Sequence, residues 1–111
     1  MITRYALFEG SIAKGKEADF RKAIVEELVP TWQAFPGVTA IRVSFVEERD
    51  PGAPEVVLIL AVDYPDRATL ATALASDARR ISKATTERVV PQYFSGRITH
   101  QVTEMQAFQP L

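Results

Sequence analysis

The chain has 111 residues, of which 47% are apolar and 24% charged, and its formal net charge at pH 7 is −1. This length and balance are typical of a soluble globular protein, so we expect a single domain over residues 1–111. A net charge so close to zero gives no basic patch for nucleic acid, and no apolar run is long enough to span a bilayer. Neither nucleic acid nor a membrane is therefore an expected partner.

The sequence also lacks the usual signals for export and for common cofactors. Residues 1–20 contain no apolar run after a positive stretch, so no secretory signal is expected, and the absence of cysteine fits a reducing compartment. Nucleotide-binding glycine motifs and a serine-hydrolase motif are missing. A single histidine without cysteine offers no usual metal-ligand set. We expect a cytoplasmic protein with no metal and no cofactor.

The first half of the chain predicts a strand, a helix and a strand. Residues 2–9 are rich in aromatic and apolar side chains and end at a Gly-Ser pair, which is typical of a strand. Residues 16–35 carry an apolar stripe at helical spacing, but Pro30 lacks a backbone donor, so we expect a kink or break at residues 27–30. Residues 38–48 alternate between apolar and polar and predict a strand with one wet face. The helical stripe consists of Phe20, Ile24, Leu28, Trp32 and Phe35.

The second half predicts a strand, a helical region and a last strand. A polar connection at residues 47–54 leads to an apolar strand at 56–64, and then Asp66 and Ser76 each provide a helix N-cap. The last strand is predicted at residues 97–106, after a turn at Ser95-Gly96. Behind the second cap the expected buried stripe is Ala78, Ile81, Thr85 and Val89, with Pro91 closing the helix. The order is thus β-α-β-β-α-β, an α+β fold with a four-stranded antiparallel sheet.

The apolar strand in the middle of the chain implies a partner. Val57, Ile59 and Ala61 point to the face opposite Val56, Leu58, Leu60 and Val62, so both faces of the strand are apolar. Two crossover helices cover only one face of such a sheet. Exposing the other forfeits about 25 cal/mol per Å² of apolar surface, and a two-fold homodimer that packs sheet on sheet avoids this loss. The alternative cover is the C-terminal tail, which is only five residues long.

The chain resembles the EthD-like family of the dimeric α/β-barrel superfamily, whose subunits have a ferredoxin-like fold. The resemblance lies in the stretch from Phe20-Arg21-Lys22 through Pro30 to Phe35-Pro36-Gly37, in Leu74-Ala75-Ser76-Asp77 and in Gly96-Arg97. It implies a dimeric α/β barrel. Relatives include lactone isomerases, cofactor-free oxygenases of aromatic compounds, polyketide cyclases and proteins of no known activity.

One position departs from the family pattern. EthD-like proteins commonly carry a histidine two residues before the proline that corresponds to Pro30, and here that residue is Leu28. A general base at this place is therefore absent. Glu27 replaces it only if burial raises the pKa of its carboxyl, and the alternative is a solvated glutamate on the helix surface.

His100 is the only histidine and the candidate for proton transfer near neutral pH. It shares strand parity with Ile98 and Val102, which directs it towards an apolar layer. The alternative is a histidine at an exposed edge, with no role in chemistry.

Four further residues are candidates for ligand binding. Arg79 lies in the first turn after the Ser76 cap and is able to hold an anionic group, although it equally fits a solvated cationic face. Trp32 either walls a pocket or belongs to the core. A Tyr5 hydroxyl or an Arg42 guanidinium can orient a carbonyl or carboxylate, or Arg42 pairs across a dimer interface.

Two functions follow from these residues. The first is an enzyme that isomerises, cyclises or oxygenates a small, largely apolar metabolite without a cofactor. The second is a non-catalytic accessory or ligand-binding dimer of a metabolic pathway, which the leucine at position 28 favours.

Overall fold

The computed structural model describes residues 1–111 and confirms the predicted order of elements. The strands are β1 (Ile2–Ile12), β2 (Ala40–Phe45), β3 (Val56–Tyr64) and β4 (Phe94–Glu104). The helices are α1 (Glu17–Ala23), α2 (Val29–Gln33), α3 (Arg67–Leu74) and α4 (Asp77–Val89). The strands form one antiparallel sheet in the order β2-β3-β1-β4, which is the ferredoxin-like arrangement. No helix has the length and apolar content needed to cross a membrane.

The first helical region is continuous but irregular where the proline predicts it. A π-helical turn, Ile24–Leu28, joins α1 to α2, and Pro30 lies in the first turn of α2. Because the region is continuous, the Val29 amide bonds to the Ile24 carbonyl five residues back, and this wider turn accommodates a proline that lacks a backbone donor. The irregularity is thus a widened turn rather than a break, and it leaves Leu28 and Trp32 only 0% and 5% exposed.

The core lies between the helices and one face of the sheet. On β3, Leu58, Leu60 and Tyr64 point to this face, and the register sets Phe8 of β1 opposite Leu58. At one end the rings of Phe8 and Phe94 lie 5.8 Å apart, in the tilted geometry that aromatic pairs prefer.

Both predicted helix caps are present. The Asp66 carboxylate accepts a hydrogen bond from the Thr69 amide at 2.8 Å, and the Ser76 hydroxyl accepts one from the Arg79 amide at 3.3 Å. Each bond satisfies an amide that has no partner within its own helix, so the caps fix where α3 and α4 begin.

The predicted buried stripe of α4 is wrong at one position. Ile81 is 45% exposed, whereas Ser82 is only 3% exposed. A stripe through Ile81 and a stripe through Ser82 both have helical spacing, so the prediction from periodicity chose the more apolar residue, Ile81. The face turned to the sheet borders a cavity, where a small hydroxyl side chain fits.

The predicted turn at Ser95-Gly96 is also wrong, because both residues lie inside β4. Gly96 pairs directly with Gly10 of β1. A Cβ atom on Gly96 would stand 2.7 Å from the Gly10 Cα, so the two glycines allow an approach that no side chain permits.

The second face of the sheet carries most of the apolar residues that the sequence analysis placed there. Ile59 lies opposite Leu7, and Ala61 lies opposite Tyr5. No helix covers this face, and the C-terminal tail does not bury its own apolar side chains, since Phe108 is 84% exposed. Val57 was also expected there, but it lies at a bulge in the β1–β3 pairing and packs against the core. We call the surface formed by Tyr5, Leu7, Ile59 and Ala61 the open face.

Candidate functional site

A cavity of about 340 Å³ lies between the sheet and α4. Its volume is within the usual range of small-molecule sites. The apolar part of its wall is formed by Ala6, Phe8, Trp32, Phe35, Leu60, Val62 and Ile98. The polar part is formed by Arg4, Tyr64, Arg79, Ser82, Lys83, Thr86, Glu87 and His100. An apolar chamber with polar groups gathered on one side suits an amphipathic ligand.

Strand register and helix period together bring the polar groups to one place. Arg4 shares the helix-facing side of β1 with Ala6, and His100 of β4 lies directly opposite Ala6. On α4, Arg79 and Lys83 are four residues apart and therefore share one side of the helix.

His100 lines the cavity but is an exposed residue, with much of its surface in solvent. Partial burial and the positive charges of Arg4 and Arg79 lower its pKa to about 4. At neutral pH the imidazole is therefore uncharged and has a nitrogen lone pair free to accept a proton.

The cationic groups of the cavity have no anionic partner in the protein. All six ion pairs of the chain lie elsewhere, and none includes Arg4, Arg79 or Lys83. Burial and the nearby charge of Arg79 lower the pKa of Arg4, which shows that the two guanidinium groups repel each other. Burial raises the pKa of Tyr64, so this phenol is protonated at neutral pH. Glu87 is the one carboxylate of the lining.

The structure brings together three of the five residues singled out from the sequence. His100, Arg79 and Trp32 all line the cavity. Tyr5 and Arg42 do not, because they point to the open face on the other side of the sheet.

On that other side, Arg42 belongs to a network around Asp63. The carboxylate of Asp63 accepts two hydrogen bonds from Arg42, one of them at 3.0 Å, and one from the Thr3 hydroxyl at 2.7 Å. The bond to Arg42 is the main reason that the pKa of Asp63 is lowered, so this carboxylate is ionised at neutral pH.

The position of the family's usual histidine is part of the core. Leu28 is fully buried and does not line the cavity. Glu27 is also outside it, and its carboxylate lies 3.8 Å from the Arg88 guanidinium on the protein surface. Neither residue is in a position to act on a ligand in this cavity.

Arg4 and Ser82 line the cavity but were not among the candidates from the sequence. Strand parity gives a signal for Arg4, because it lies on the same side of β1 as Ala6. By the same parity Tyr64 lies on the same side of β3 as Val62. No sequence signal identifies Ser82, because the more apolar neighbour Ile81 fits the same helical stripe. Side chains that could hold a metal ion do not cluster anywhere in the structure.

Comparisons with known proteins place the fold. No family model matches the chain, and no curated protein matches it. Among solved structures, an EthD family protein from Bacillus halodurans has a TM-score of 0.76 at 20% identity, covering 96% of this chain and 99% of the other. SnoaB, a cofactor-independent oxygenase from Streptomyces nogalater, has a TM-score of 0.62 at 14% identity, with coverages of 99% and 97%. A dimeric ferredoxin-like protein of unknown function from Thermobifida fusca has a TM-score of 0.67 at 12% identity, with coverages of 94% and 90%.

At these identities the likeness concerns the fold. The chain has the ferredoxin-like fold of EthD-type proteins, and the resemblance predicted from its sequence is confirmed at that level.

Proposed function

We propose that the protein is a homodimer that binds a small, largely apolar metabolite in the cavity beside α4, and that His100 transfers a proton on the bound molecule. The observation that carries the proposal is the convergence of His100, Arg79 and Trp32 on one cavity of about 340 Å³. Apolar walls with a few convergent polar groups and a titratable residue of shifted pKa are characteristic of ligand sites. The reaction proceeds without a cofactor.

The chemistry follows from the state of His100. Its neutral imidazole accepts a proton from an acidic C–H or O–H group of the ligand, and the nearby guanidinium groups stabilise the anion that forms. Return of the proton to another carbon gives isomerisation. When the proton comes from a C–H group, attack of the resulting carbanion on a carbonyl of the same molecule forms a C–C bond, and the alkoxide takes the proton back from His100, which gives cyclisation. Reaction of the carbanion with dioxygen, the oxidant, gives a peroxide anion that takes the same proton to form a hydroperoxide, and loss of water from this hydroperoxide leaves a carbonyl group. SnoaB, which has a similar fold, is a cofactor-independent oxygenase, and this supports the last of these reactions.

The homodimer rests on the open face. Leu7 and Ile59 are only partly buried there, and no helix of the chain covers them. Packing sheet against sheet about a two-fold axis removes this apolar surface from water. The ferredoxin-like protein from Thermobifida fusca is described as dimeric.

A second candidate function is a non-catalytic ligand-binding protein of the same kind of pathway. It is favoured by Leu28, which is fully buried at the position where EthD-like proteins commonly carry a histidine. Such a protein binds the same metabolites but leaves them unchanged.

The two functions are separated by one experiment. Lactones and polyketide-like compounds suggested by neighbouring genes are incubated separately with the wild type, with His100→Ala and with Arg80→Met. Arg80→Met is the control, because the Arg80 side chain lies outside the cavity. For the enzyme we expect turnover that is lost in His100→Ala and kept in Arg80→Met, detected by mass spectrometry. Binding without turnover supports the accessory protein, and unchanged turnover in His100→Ala removes the role proposed for this residue.

A further inference from the structure

We infer that the ligand of this cavity is an amphipathic organic anion whose carboxylate or equivalent oxyanion is held between Arg4 and Arg79. The inference rests on the proposed function, since it names the chemical class of the molecule bound at the same site. Arg4 was not among the residues singled out from the sequence.

The first observation is an excess of unpaired positive charge. The lining contains Arg4, Arg79 and Lys83 against one carboxylate, that of Glu87, while His100 is neutral. None of these three cations takes part in an ion pair. Of the seven arginines outside the cavity, six have a carboxylate partner and only Arg67 has none, although the outlying lysines are also unpaired.

The second observation is the burial of Arg4. Its side chain extends from a central strand of the sheet and is partly buried, and the positive charge of Arg79 acts on it unfavourably. A partly desolvated cation beside a like charge is unfavourable without an anionic partner. An oxyanion placed between Arg4 and Arg79 removes both costs, because guanidinium groups donate paired hydrogen bonds to carboxylates.

The rest of the cavity specifies the remainder of the ligand. The lining also contains Phe8, Trp32 and Phe35, which offer flat apolar surfaces to a ring or an alkyl chain. The phenol of Tyr64 lies beside the guanidinium groups and is able to donate a further hydrogen bond to the oxyanion. A small inorganic anion fills only the polar side and leaves this apolar wall unoccupied.

The test uses two probes of nearly equal shape, para-butylbenzoate and the uncharged para-butylbenzamide. Trp32 is the only tryptophan of the chain and lines the cavity, so its fluorescence reports occupancy of this site alone. Isothermal titration calorimetry gives the two dissociation constants independently. We expect the carboxylate to bind at least about tenfold more tightly, since hydrogen bonds between charged groups contribute that much or more.

Variants of single residues show which side chains cause the preference for the carboxylate. Arg4→Met and Arg79→Met keep much of the side-chain volume and should each reduce the preference for the carboxylate about tenfold, with little change in the affinity for the amide. Arg80→Met is the matched control and should keep the preference, because Arg80 lies one residue away and pairs with Asp77 on the surface. Circular dichroism confirms that each variant is folded. If one arginine variant does not fold, the other still tests the pair.

Each remaining outcome is decisive. Equal affinities for carboxylate and amide overturn the inference and leave the cavity as a site for neutral ligands, so the proposed function survives. A preference that persists in both arginine variants also overturns it. Failure of both probes to bind contradicts the inference and the proposed function together.

Discussion

The network around Asp63 makes the stability of the sheet depend on one carboxylate. Asp63 is 5% exposed, and Thr3, whose hydroxyl donates to it, is 0% exposed. Asp63→Ala leaves this hydroxyl without an acceptor in a buried position, which costs about 1 to 3 kcal/mol. The Arg42 side chain is 49% exposed, so water replaces the lost partner and that part costs only about 0 to 1 kcal/mol. We therefore expect a total loss of about 1 to 4 kcal/mol in the free energy of unfolding.

The assay is urea denaturation at a fixed protomer concentration, because the stability of a dimer depends on concentration. Asp63→Asn keeps an acceptor for Thr3 and should lose only about 1 kcal/mol. Asp50→Ala, in an exposed loop, is the control and should change stability by less than about 0.5 kcal/mol. A loss for Asp63→Ala as small as that of Asp50→Ala would refute the reasoning.

The same network predicts a dependence on pH. The pKa of Asp63 is lower in the folded protein than its ordinary value of 3.8, chiefly through the hydrogen bond to Arg42. The folded state thus favours the ionised form, and the stabilisation is complete above about pH 4 and decreases as the pH falls towards the lowered pKa. The difference in stability between the wild type and Asp63→Ala should shrink on acidification and stay constant between pH 5 and 8. A difference that grows on acidification would contradict this sign.

Three further substitutions test separate parts of the structure. Ile59→Asp places a charge on the open face and should convert the dimer to a monomer at micromolar concentration, measured by light scattering; a wild-type monomer contradicts the dimer itself. Leu28→Ala empties a fully buried position and should cost about 2 to 5 kcal/mol in urea denaturation, whereas a loss below about 1 kcal/mol would place Leu28 outside the core. Ser76→Ala removes the cap of α4 and should cost about 1 kcal/mol in thermal unfolding, and no loss would show that the cap is dispensable.

Much of the fold could be predicted because its signals are local. The continuous apolar run within residues 56–64 indicates that both faces of β3 are apolar. The side-chain oxygens of Asp66 and Ser76 indicate where α3 and α4 begin. The ends of the strands were harder to predict from the sequence. Ser95 and Gly96 look like a turn in sequence, but pairing with β1 keeps them in β4, and that pairing is a contact between residues far apart in the chain.

The site was predicted only in part, because its members meet through packing. Parity placed His100 towards the helices, yet it could not show that Arg4 and Arg79 converge on the same cavity. Arg42 has the same side-chain chemistry as Arg79, but the parity of β2 directs it to the opposite side of the sheet, where it pairs with Asp63. Which of the two arginines lines the cavity is decided by the direction that its own element gives it and not by residue type.

The account depends most on His100 lying in a partly desolvated cavity beside unpaired guanidinium groups. Because His100 is the only histidine, its imidazole resonances in an NMR titration of the protein without a polyhistidine tag are unambiguous. The account predicts a pKa of about 4 in the free protein, and a higher value once para-butylbenzoate neutralises the field of Arg4 and Arg79. A pKa near the ordinary value of 6.5, unchanged by the carboxylate, would contradict it.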